Sequence, residues 1–161
     1  IFLRHFWSSC HGLVREKDLY ADIKKRISNQ AQAVIFTREL ERNAHIYAAI
    51  VNSSDAFWNK YGDTCRKHME ILSTLRMIQI RPLILSVLDM FNETEVKKTI
   101  KNLVSWSVRF LIHGGLGTGA IESNNCRAAL AIRNKSILNT AKLYGYLKTI
   151  PDFRQYPTVH L

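Results

Sequence analysis

The densest chemical signal in the sequence is a glycine run, His113-Gly114-Gly115-Leu116-Gly117-Thr118-Gly119. If Ser107-Val108-Arg109-Phe110-Leu111-Ile112 is a strand and a helix follows the run, the order is that of a nucleotide-binding loop. Glycines let backbone N–H groups approach a phosphate at a helix N-terminus. Two features oppose this chemistry. A phosphate-cradling loop needs Lys and Ser or Thr after its last glycine, and Gly119 is followed by Ala120 and Ile121. A dinucleotide site needs further strand–helix–strand units, and none is visible. The preferred reading of Gly114 to Gly119 is therefore a helix–helix connection with glycines at positive φ. Glu122 is then an acid in the first turn of the next helix, where it suits the dipole. A phosphate-binding enzyme built on this loop stays as the alternative.

Other residue types are weaker signals. Cys10-His11 and Cys65-x-x-His68 offer four zinc ligands. Adjacent side chains rarely converge on one ion, so the expectation is two partly buried cysteines and two surface histidines. No local signature joins a nucleophile to a base and an orienting group, so no catalytic residue is assigned. Asp89, Glu93 and Glu95 straddle a turn and read as helix caps rather than a metal-binding carboxylate set. No metal and no cofactor are expected. The basic residues are stronger as a class. Arg4, Lys24, Lys25, Lys97, Lys98, Lys101, Arg127 and Arg133 are the candidate nucleic-acid contacts, with Arg26, Arg66 and Lys67 beside them. On wet helix faces they would neutralise phosphates if they converge. Phe6, Trp7, Phe57, Trp58 and Trp106 read as core rather than as stacking platforms.

The elements that must position these residues follow from composition and periodicity. The chain has 161 residues, a formal charge of +10, 47% hydrophobic and 22% charged residues. Those values exclude disorder and collagen-like repeats, and the charge favours an anionic partner. Only 7 Gly and 3 Pro interrupt it, which favours long helices. Leu19, Tyr20, Ile23 and Ile27 form one stripe over residues 16–27, with Lys24, Lys25 and Arg26 off it. A helix over residues 30–51 carries Val34, Ala44, Tyr47 and Val51 inward. After a short turn at Phe57-Trp58, Asp63 starts a helix to about Gln79, with Met69, Leu72, Leu75 and Ile78 inward. Pro82 opens an apolar, central helix, and Arg81 before it is biased away from helical dihedrals. Asn92-Glu93-Thr94-Glu95 has capping-box spacing for a helix reaching Ile112, with Leu111 on its buried face. Residues 120–133 and 139–150 complete the pattern. The expected fold is all-α, a single-domain bundle of about seven helices with no substantial sheet. Three cysteines are too few and too scattered for a disulfide framework, which points to a reducing, cytoplasmic setting. No apolar run is long enough to span a membrane. The absent initiator Met points to a piece of a longer protein.

Both ends of the chain carry a resemblance. Phe2-Leu3-Arg4-His5-Phe6-Trp7 is followed by Gly12-Leu13-Val14-Arg15-Glu16-Lys17-Asp18-Leu19-Tyr20. Ala44-x-x-Tyr47, Arg81-Pro82-Leu83-Ile84-Leu85, Val108-Arg109-Phe110, Glu122 and Ile150-Pro151-Asp152-x-x-x-Tyr156 come after them in order. This succession resembles the helical region of GmrSD-type restriction endonucleases. The resemblance implies a defence protein that cuts modified foreign DNA. Its family has an N-terminal ParB-like domain with an Asp-Gly-Gln-Gln-Arg motif for nucleotide hydrolysis, and often a C-terminal His-Asn-His nuclease. Neither motif occurs here. The implied role is a non-catalytic helical middle piece that positions flanking domains, with DNA backbone as a partner. A pure scaffold or dimerisation module is the remaining alternative, so a homo-oligomer stays open.

Overall fold

The computed structural model describes residues 1–113 and 118–149. Among these residues the chain is all helix, with eight α-helices and two 3₁₀ turns. They are α1 (Phe2–His11), α2 (Glu16–Arg26), α3 (Gln30–Val51), α4 (Asp63–Thr74), α5 (Arg81–Met90), α6 (Glu93–His113), α7 (Thr118–Arg133) and α8 (Thr140–Thr149). The 3₁₀ turns are Ala56–Tyr61 and Ile78–Ile80. The expected count of about seven omitted α1. Its run of Phe, Trp and Ser has weak helix propensity, and burial of His5, Phe6, Trp7, Ser8 and Ser9 supplies what propensity does not.

Local chemistry sets many of the boundaries. The Asn29 side chain accepts from the Gln32 N–H and opens α3, and Asp55 does the same for Phe57. Gly12 and Gly62 close their elements at φ +87° and +80°. α4 ends at Thr74 rather than near Gln79 because Arg76 turns left-handed at φ +52°. Its N–H bonds Ser73 O, and the Met77 N–H bonds Leu72 O, the paired closure of a Schellman motif. Ile78 leaves the helix and is exposed instead of inward. Lys135, at φ +64°, ends α7 in the same way. Arg81 takes helical dihedrals despite the proline after it. Burial of Ile80, Leu83, Ile84 and Leu85 around it outweighs the local preference.

The helix α5 is the central element. Residues 82–88 are all buried, and α1, α3 and α7 pack around them. α4 packs against α6, and α8 lies against α6 and α7. At the other extreme, α2 has no buried residue. Its expected stripe is at best half-buried, and Tyr20 stands in solvent. The link from α2 to the core is the Trp7 indole, which donates to Asp22 at 2.7 Å. Val34, Val51 and Leu111, expected inward, are exposed as well.

Candidate functional site

The basic residues singled out in the sequence do not share one face; the charged and polar side chains around them form three groups, and Lys24, Lys25 and Arg127 lie outside these. The first is a seam between α4 and α6. Lys97, Lys98 and Lys101 project from α6 and are exposed. Lys97 pairs with Glu93 and Lys98 with Glu95, each within one turn. Lys101 meets no carboxylate among the described residues. Across the seam, α4 packs against α6 closely enough for the Lys97 charge to act on Cys65 and the Lys101 charge on His68. Burial, with the Lys101 charge adding to it, holds the His68 imidazole below its ordinary range. Burial pushes the Cys65 thiol up to about 11, with Lys97 opposing. Both groups are therefore neutral near pH 7, and the charge of the seam is that of its lysines and of neighbouring Arg66 and Lys67. Arg66 is tied to the Asn59 side chain. Lys24 and Lys25 lie apart, in the exposed last turn of α2. Arg127 is exposed on α7 and donates to Ser123.

The second group is a single residue that lies inside the molecule. Arg133 is not on a wet face. Its side chain is 13% exposed and pairs with Asp89, which is 2% exposed, at 2.8 Å. Nε donates to the Ser9 and Ser86 hydroxyls at 2.9 and 3.1 Å, and Nη2 donates to Asn43 Oδ1 at 3.0 Å. The guanidinium lies over the Phe6 ring, 5.5 Å from its centre. Arg42 donates to the same Asp89 oxygen at 3.0 Å. Arg133 thus joins α1, α3, α5 and α7. Asp89 is no helix cap, as its sequence position had implied. A lone acid in an apolar helix has to be paired when it is buried, and that was the available signal.

The third group centres on Tyr47 and was not anticipated. Arg81 Nη1 donates to the Tyr47 oxygen at 3.5 Å, which leaves the hydroxyl proton for His5 Nδ1 at 2.8 Å. Burial first, then the charges of Arg4 and Arg81, lower the His5 imidazole to about 4. A neutral His5 suits an accepting Nδ1. Its Nε2 is buried without a partner among the described residues. Arg4, the residue before His5, pairs with Glu122 at 2.7 Å. Glu122 therefore anchors α1 rather than only flanking a helix end.

The remaining sequence readings resolve as follows. Residues 114–117 of the glycine run lie outside the described residues. Ser107 to Ile112 belong to α6, so the strand required for a strand–loop–helix nucleotide site is a helix instead. Cys10 with His11 and Cys65 with His68 stay on separate elements, α1 and α4, and no group of three potential metal ligands exists among the described residues. Cys10, Cys65 and Cys126 are free thiols. Phe6, Trp7 and Trp58 are buried, as expected, whereas Phe57 and Trp106 are only partly covered. Trp106 stacks on Tyr144, with rings 9° from parallel. No helix of the described residues is long and apolar enough to cross a membrane. Comparison with protein-family models, curated proteins and solved structures gives no match for this chain.

Proposed function

We propose that this chain is a non-catalytic helical domain of a modification-dependent DNA restriction protein. It would position flanking nucleotide-hydrolysing and nuclease domains and contact the DNA backbone. The observation that carries the reading is a convergence. Arg4, His5, Tyr47, Arg81 and Glu122 come from four of the short motifs behind the GmrSD resemblance, and they are far apart in sequence. They are linked pairwise in the fold, Arg4 to Glu122, His5 to Tyr47 and Tyr47 to Arg81. Motifs that share one packing job are expected to occur together, which supports treating them as one signature.

The contact face in this reading is the α4–α6 seam. Its lysines are exposed, and the two acids paired with them sit at the start of α6, one or more turns before Lys101. Each phosphate neutralised by a lysine releases counterions, so binding must weaken steeply with salt. The test is duplex binding by fluorescence anisotropy across a salt series. Lys101→Gln is expected to lower affinity for every sequence alike and to reduce the log–log salt slope by about 1. Affinity that ignores salt, or a Lys101→Gln slope equal to that of the parent, refutes phosphate contact at this seam.

A further inference from the structure

We propose that the outer face of α2 is a self-association surface whose occupant is the α2 of a second copy of this chain, packed antiparallel about a two-fold axis at Tyr20. This helix is the least supported element of the fold. It has 11 residues, none of them buried, and among the described residues no other element packs closely against it. A helix that short is marginal in water by itself and depends on whatever covers its apolar face. Its tie to the core is the Trp7 indole on Asp22. Asp22 lies about half a turn round the helix from Tyr20, so that tie turns Tyr20 outward, where it is 75% exposed. Leu19 and Ile23, half-buried, border Tyr20. Leu13, Val34 and Ile35, on either side of α2 in the sequence, are exposed too.

The charges on this face select the partner. Glu16, Tyr20 and Lys24 are exposed, stand four residues apart and form one line along the helix. Glu16 and Lys24 are about 12 Å apart along the axis, too far to pair with each other. Neither meets an opposite charge within ion-pair distance among the described residues, whereas Asp18 pairs with Arg15 and Asp22 with Arg26. A two-fold axis at Tyr20 sets Glu16 of each copy opposite Lys24 of the other, with the two Tyr20 rings between the pairs. The line thus complements itself end for end. It carries one charge of each sign in a chain of +10, so two copies meet here without the repulsion that their basic surfaces impose elsewhere. Antiparallel packing also sets the N-terminal end of each helix dipole beside the C-terminal end of the other. A parallel pairing, an acidic peptide or a nucleic acid would instead set Glu16 against like charge. One helix from each copy buries less than the roughly 1,200 Å² of a stable interface, so the association is weak.

This inference does not rest on the DNA reading. The test is sedimentation equilibrium of the full chain in about 0.15 M salt, which screens the long-range repulsion between copies. The concentrations bracket about 100 µM, the order of dissociation constant expected for a contact of this size. Tyr20→Ala is expected to weaken association about tenfold while urea unfolding stays as in the parent. Glu16→Lys and Lys24→Glu each set like charges together at both ends of the contact and should each weaken it about tenfold. An equimolar mixture of those two variants restores opposite charges at both ends, so it should associate as the parent does. That recovery also shows that each variant is folded. A parent that stays monomeric throughout the range overturns the proposal. So does association unchanged in Tyr20→Ala or Lys24→Glu, or a mixture no tighter than its components. A monomeric parent whose duplex affinity falls in Lys24→Glu makes α2 a nucleic-acid contact instead.

Discussion

Asp89 and Arg133 show what single residues contribute to this fold. A carboxylate that is 2% exposed has lost nearly all its hydration, and two arginines restore the interaction. Removing one partner leaves the other charged and dry. Asp89→Ala is therefore expected to cost about 3–5 kcal/mol in urea unfolding, far more than its size suggests. Arg133→Lys should also destabilise, because one ammonium cannot serve Ser9, Ser86, Asn43 and Asp89 together. His5 gives a pH dependence. Its imidazole titrates near 4 in the fold against 6.5 in the unfolded chain, so the unfolded state binds the proton first as pH falls. The stability that neutral His5 contributes is intact above pH 6.5 and is lost as the pH drops towards 4. Thermal melts at stepped pH should show this decline, and His5→Gln should flatten it. An equally steep decline in His5→Gln would assign the effect elsewhere, with His11 and His68, also lowered, the next groups to examine.

At the scale of elements, helix ends decide more than helix interiors. Asn92 caps α6 as the sequence predicts, accepting from the Glu95 N–H at 3.0 Å. The other half of that capping box is different. Glu95 does not reach back to Asn92. Its carboxylate accepts from the Thr140 N–H at 2.8 Å and so caps α8. The Thr140 hydroxyl completes the joint, donating to the Glu95 carbonyl and bonding Thr99. Bonds from Thr140 first, and then Lys98, hold the Glu95 carboxyl below its ordinary range. Glu95→Ala should cost about 1–2 kcal/mol, and amide exchange should rise selectively in the first turn of α8. The ends of α4 and α7 suggest a change in the other direction. Lys135 holds a left-handed conformation that costs an L-residue about 1–2 kcal/mol. Lys135→Gly removes that cost and loses part of the gain to chain entropy, so a net increase of about 0.5–1 kcal/mol is expected in denaturant titration.

For the whole molecule, the arrangement is a buried helix, α5, with the others laid around it and α2 at the margin. Leu83→Ala opens a hole at the centre and should cost about 2–5 kcal/mol, whereas alanine at exposed Tyr20 should change stability by under about 0.5 kcal/mol. Much of this was legible beforehand. The all-helical class, the apolar centre after Pro82, the cap at Asn92 and the excess of positive charge are read from neighbouring residues. They depend on interactions within a turn or two, and local sequence encodes those directly. Other features depended on which helix faces meet. The periodicity of α7 cannot reveal that Arg133 points inward, because the acid that draws it there is 44 positions away. Nor could the spacing of Asn92 and Glu95 show that α8 would claim the carboxylate. Amino-acid order by itself determined the helical class, every helix but α1 in outline, and the sign of the charge. Tertiary packing decided which charges are buried, which are paired and which face solvent, because desolvation depends on neighbours that only the folded chain brings together.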